Sequence, residues 1–266
     1  MPDHIPPGHA LSLSAGCVLD LAPAEVVACA TAAGYDLAGV RLADPRGQRA
    51  AVTAALARDG IGLLDVEVVR LGTEPLADAD RALADVAADL GARFLLTVSD
   101  TPDEDVTTAR VAELAARLRG SGTRVALEPM RFTGVRTRDA AEHVARAVGD
   151  GVTVLLDPLH LHRAGDDLTR PADPALTGYA QLTDLADPAT VPSDPDALVR
   201  EARHDRVPPG HGGLDLGGFV AGLPAGVPLA VEVQSDRLAA TTAPLERALL
   251  LRLAAETVLT AREGAR

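Results

Sequence analysis

Val152-Thr153-Val154-Leu155-Leu156-Asp157-Pro158-Leu159-His160 opens with five residues of strand-forming character and is then stopped by a carboxylate and a proline. An uninterrupted β-branched and aliphatic run of this length fits a strand buried on both faces, as in a parallel sheet. The pattern recurs. Arg124-Val125-Ala126-Leu127 is followed by Glu128, Gly178-Tyr179-Ala180 by Gln181, and Pro228-Leu229-Ala230-Val231 by Glu232. If these runs are successive parallel strands, three carboxylates and an amide converge at the C-terminal end of one sheet, where parallel α/β folds keep their chemistry. Oxygen donors gathered in this way suit a hard divalent cation. A single acidic residue at a strand end is more often the N-cap of the next helix, and Asp157 alone would be read so. The combination carries more weight, because uncompensated carboxylates packed closely repel and raise one another's pKa. A bound cation removes that conflict.

Working outward, short β-type runs alternate with helical stretches rich in Ala, Leu and Arg, the order expected of a parallel α/β fold. Strands are expected at 10–14, 37–42, 61–68, 94–98, 124–127, 152–156, 179–183 and 229–233, and the last helix at about 239–262. Eight βα units without an internal linker predict a single (β/α)₈ TIM barrel covering 1–266, a length that matches the roughly 250 residues of such barrels. Ser14-Ala15-Gly16-Cys17 is too poor in glycine for a dinucleotide fingerprint. Pro171 and Pro174 leave room for only a turn or two of helix between strands six and seven. The long loop between strands seven and eight, 184–227, carries Pro188, Pro192, Pro195, Pro208 and Pro209 among its residues and is expected to act as a lid or binding wall.

Composition excludes several function classes. The formal charge of −13 and 2% aromatic content argue against nucleic acid, which needs clustered cations and stacking platforms. The sequence contains no lysine, so Schiff-base, P-loop and pyridoxal phosphate chemistry are ruled out. No apolar stretch reaches membrane-span length. Two cysteines without a CxxC pair, and an acidic, polar Met1-Pro2-Asp3-His4, lead to the expectation of a reducing, cytoplasmic compartment.

Leu127-Glu128-Pro129, Leu156-Asp157-Pro158-Leu159-His160 and Gln181-Leu182-Thr183-Asp184 resemble motifs of the xylose isomerase-like TIM barrels, the sugar (phosphate) isomerases and epimerases related to endonuclease IV. Pro208-Pro209-Gly210-His211-Gly212, Val231-Glu232-Val233 and the stretch from Ala32 to Arg41 extend the likeness over nearly the whole chain, in order. The resemblance implies one divalent metal on Glu128, Asp157, Gln181 and Glu232, with manganese first and magnesium, cobalt or zinc as alternatives. It implies a small sugar or keto-acid substrate whose carbonyl the metal polarises, an enediolate, and Glu128 and Glu232 as the groups that move the proton. His160 is then a substrate-binding residue. Homodimers or homotetramers are common in such barrels, but no interface signature is legible.

Other residues carry expectations of their own. Arg206 is a natural partner for a substrate carboxylate, phosphate or hydroxyl, the plain alternative being a salt-bridging arginine. Glu67 points to the same face if the register holds. It would bind substrate or act as a further acid or base, or else pack on an arginine of a neighbouring strand. His211 stands where relatives often carry glutamate in Pro-Gly-Glu-Gly, and it is expected to help select the substrate. Cys17 reads as a buried, inert thiol. The expected reaction is isomerisation or epimerisation. The alternatives are a dehydratase using the same site and a barrel that binds metal or sugar without turnover. Phosphodiester cleavage of abasic DNA calls for several metals and a histidine-rich ligand set that this chain lacks.

Overall fold

A computed structural model describes residues 8–263, so Met1–His4 lies outside the described residues. Its strands are β1 Leu11–Leu13, β2 Leu37–Arg41, β3 Gly62–Leu71, β4 Phe94–Ser99, β5 Arg124–Leu127, β6 Val152–Leu156, β7 Thr177–Leu182 and β8 Leu229–Val231. Each pairs in parallel with the next and β8 pairs with β1, closing a (β/α)₈ TIM barrel. Every residue of β4, β6 and β7 is buried, as strands with side chains on both a barrel lumen and a helical layer must be. The helices are α1 Pro23–Ala32, α2 Pro45–Asp59, α3 Asp78–Asp89, α4 Glu104–Leu118, α5 Arg138–Val148, α6 Pro158–Ala164, α7 Pro195–His204, α8 Leu216–Gly222, α9 Asp236–Thr241 and α10 Pro244–Glu263.

Local chemistry starts most of these helices. Asp44, Asp103, Thr137, Asp157, Asp194 and Asp215 each cap a helix by accepting a first-turn amide, and α1, α2, α6 and α7 open with proline. Inside the barrel, Leu37, Leu64, Phe94, Leu96, Leu155 and Tyr179 interlock. The Phe94 and Tyr179 rings stack with centroids 5.0 Å apart. The Tyr179 hydroxyl donates to Asp65 Oδ2 at 2.6 Å, giving the one polar end of that ring a partner. Gly178 has no side chain for a reason of space: a Cβ there would lie 2.4 Å from Thr153 Oγ1 and 2.8 Å from Phe94 Cε1.

Three expectations change in detail. The connection between β7 and β8 is not a bare loop, because it holds α7 and α8. Asp184 anchors it, its carboxylate accepting from Leu185 N, Gly210 N, Gly212 N and Leu214 N at 2.8–3.1 Å. The expected last helix is two, α9 and α10, broken before Pro244, whose missing N–H and ring exclude it from a helix interior. The third strand does not stop at 68, since β3 runs on past Glu67 to Leu71 through a register shift between Val66 and Val69.

Candidate active site

Glu128, Asp157 and Glu232 each stand one residue past the end of their strand, and Gln181 is the penultimate residue of β7. A cavity of about 480 Å³ opens at this end of the barrel. Glu67, Glu128, His160, Arg206 and Glu232 all line it, while Asp157 and Gln181 lie beneath its surface at 1% exposure. His211 is exposed and is not among the cavity-lining residues, because the Pro208–Gly212 turn folds back on Asp184. The α7 segment supplies one wall through Ala202, Arg203 and His204.

One potential donor atom from each of Glu128, Asp157 and His160 lies within 4.8 Å of the others. His160 therefore sits beside the carboxylates as well as on the cavity wall. It sits one helical turn after Asp157 on α6, and spacing of three puts two side chains on one helix face. Burial lowers its imidazole pKa to about 4, so the ring is neutral and offers a lone pair. Phe132 holds it edge-on, with centroids 5.5 Å apart.

Burial, then Glu232 and Asp157, push the Glu128 carboxyl well above the ordinary range. Glu232 is raised as well, by burial first and by Glu67 against the pull of Arg206. Burial alone would raise Asp157, but Arg206 and the Leu159 amide outweigh it and hold this carboxyl below its ordinary value. Each nitrogen of the Arg206 guanidinium has a partner. Nη1 donates to Asp157 Oδ2 at 2.7 Å, Nε to the Ala202 carbonyl at 2.6 Å, and Nη2 lies 3.3 Å from His160 Nε2. Arg206 thus takes the salt-bridging role, buried rather than exposed, while still bordering the cavity. Glu67 meets the arginine of a neighbouring strand: Arg41 donates to its Oε2 from Nε and Nη2 at 3.0 and 2.5 Å, and Ser14 Oγ to its Oε1.

The donor set fits a divalent cation. Gln181 Oε1 is buried and has no hydrogen-bond partner, a state that a cation would relieve. Asp157 Oδ1 accepts from the Leu159 and His160 amides and Oδ2 from Arg206 alone, leaving one of its roughly four lone-pair sites free. Carboxylate, amide oxygen and imidazole together suit zinc, manganese or cobalt.

Two neighbours were not singled out from sequence. Gln234 Nε2 donates to Glu232 Oε1 at 3.0 Å. Its i+2 spacing from Glu232 carries a strand-face signal. Phe132 lies in the β5–α5 connection, where no periodicity marks it. Cys17 behaves as expected: Sγ donates to the Val231 carbonyl and accepts from Val233 N, and burial pushes the thiol up to about 12. Cys29 is buried and raised too. Iodoacetamide at pH 8 is expected to label neither thiol in the folded protein and both in urea, as mass spectrometry would read.

A family model described as xylose isomerase-like TIM barrel matches residues 27–253. Among solved structures, the IolI protein with a zinc atom is similar over 95% of this chain and 99% of its own, at 18% identity and a TM-score of 0.78. D-allulose 3-epimerase from Methylomonas sp. in complex with D-allulose covers 97% and 98%, at 17% identity and a TM-score of 0.69. The probable 3-DHS dehydratase AsbF from Bacillus anthracis covers 92% and 98%, at 12% identity and a TM-score of 0.66. At these identities the likenesses concern the fold. No curated protein matches the chain. Among the described residues no helix is long and apolar enough to cross a membrane.

Proposed function

The chain belongs to the xylose isomerase-like TIM barrel family, and on that premise we propose that it is a divalent-metal-dependent isomerase or epimerase of a small sugar, polyol-derived ketone or keto acid. The observation that carries this reading is the buried pair Glu128 and Glu232 on one cavity, both with proton affinity raised, Glu128 by burial, Glu232 and Asp157, and Glu232 by burial and Glu67, together with the buried, unpartnered oxygen of Gln181. A carboxylate whose affinity for protons is raised toward neutrality is suited to take one from carbon and give it back. A divalent cation held by Glu128, Asp157, Gln181 and Glu232, with His160 close by, supplies Lewis-acid polarisation of a substrate carbonyl.

In this reading Glu128 removes the proton α to the carbonyl and Glu232 returns one from its own side of the cavity. Gln234 orients Glu232 through Oε1. Neutral His160 takes a substrate hydroxyl. Arg206 holds Asp157 and His160 in place, and Glu67, fixed by Arg41 and Ser14, borders the substrate space.

Protein reconstituted with Mn²⁺ or Zn²⁺, incubated in D₂O with ketoses, inososes and cyclic keto acids, tests the proposal by proton NMR. Deuterium entering next to a retained carbonyl is the expected result. A new conjugated absorbance in its place identifies a dehydratase. Metal binding without exchange in any compound identifies a binding barrel and overturns the reading.

A further inference from the structure

A second cavity, of about 580 Å³, lies beside the first, with Phe132 lining both. Its walls come from the β5–α5 connection, the C-terminal end of α6 and the segment leading into α7. Arg131, Arg136, Arg163 and His162 line it together with the hydroxyls of Thr137 and Ser193, and no carboxylate does. In a chain of formal charge −13 that is a local reversal of sign. Three acids of the adjoining segments are turned to other partners. Glu201 is bound twice by buried Arg163 at 2.7 Å, Asp194 caps α7, and Asp166 accepts from Arg138 N.

The two exposed arginines are left with hydrogen-bonding capacity. Arg131 spends Nη1 on the Arg163 carbonyl at 2.8 Å, and Arg136 spends Nε on the Thr133 carbonyl at 3.2 Å. Neither forms an ion pair with any described residue, and both are exposed residues of the cavity lining. Each retains the fork that matches an oxyanion. Phe132, Val191, Pro192 and Leu198 supply an apolar flank.

We infer that this cavity binds a small oxyanion, the phosphate or carboxylate group of an organic molecule, at Arg131 and Arg136, separately from the proposed active site. Its occupant would abut Phe132, whose ring meets that of His160 edge-on. The inference stands whether or not the neighbouring cavity catalyses isomerisation.

Isothermal titration of the full chain with inorganic phosphate, and in a separate arm with acetate, at constant ionic strength, tests it. Saturable binding of at least one anion is expected, and the arm that binds names the headgroup. Arg131→Gln with Arg136→Gln is expected to weaken binding on the order of tenfold or more, with Tm unchanged because both side chains are exposed. Arg203→Gln, on the wall of the first cavity, is expected to leave it unaltered. No saturable binding of either anion, wild-type affinity in the double variant, or a loss in Arg203→Gln instead would each overturn the inference.

Discussion

Glutamine in place of Glu128 is expected to slow substrate C–H exchange by about 10²–10⁴-fold while the barrel stays folded. The substitution keeps the side chain's shape and one oxygen that could still ligate a cation, and it removes the base. Its effect on stability separates this role from a purely structural one. Glu128 is buried against Glu232 and Asp157, both of which oppose its ionisation. In protein stripped with a chelator, Glu128→Gln removes that repulsion, so its Tm is expected to be no lower than wild type. With metal restored, the wild type is expected to gain more than the variant, because a ligand that binds only the folded state stabilises in proportion to its affinity. Exchange measured by NMR in D₂O and melts with and without EDTA check both limbs. An undiminished exchange rate in Glu128→Gln would remove it from the proton-transfer role.

The barrel was legible because its strands are buried on both sides. Runs such as Val152–Leu156 and Phe94–Ser99 are mostly apolar and buried throughout, and Asp157-Pro158 and Asp103 mark where the next helix begins. The same punctuation stands at Asp194-Pro195, before α7, but there a high density of prolines suggested a bare loop. Pro244 marks the break between α9 and α10 just as plainly. Those differences concern signals that were present and outweighed.

Side-chain partners at the site were not legible in the same sense. Glu128, Asp157, Gln181 and Glu232 could be brought to one end of the barrel by counting strands, because strand ends are local features. That Arg206 would turn inward to Asp157, 49 residues away, depends on how α7 packs over the rim, and no local pattern encodes it. The fate of His211 follows from Asp184 collecting the amides of Gly210 and Gly212, which turns this stretch away from the cavity. A Cβ at position 212 would lie 2.1 Å from the Leu185 carbonyl oxygen, so the glycines around His211 serve the turn. Of the two readings of Glu67 in sequence, the structure shows the packing on a neighbouring arginine: its carboxylate is fixed by Arg41, and the residue also lines the cavity.

Asp157→Ala is the substitution expected to damage the fold most. Asp157 and Arg206 form an ion pair with side chains 0% and 2% exposed. Removing one member of a buried pair leaves the other charge uncompensated and costs about 3–5 kcal/mol. Loss of the α6 cap adds roughly 0.5–2 kcal/mol, since Oδ1 accepts from the Leu159 and His160 amides. Against a total stability on the order of 5–15 kcal/mol, that is a large fraction, and urea denaturation should show it as a lower midpoint with little change in slope. The cap and the charge can be separated. Asp157→Asn keeps an oxygen for the two amides and is expected to lose less than the alanine variant. The pairing makes a further demand: in Asp157→Ala with Arg206→Met the stranded cation is gone, so the double variant is expected to be more stable than Asp157→Ala alone. Additive losses in that cycle would mean that Arg206 is held mainly by the Ala202 and Glu232 carbonyls, and that Asp157 is free to serve a cation without it.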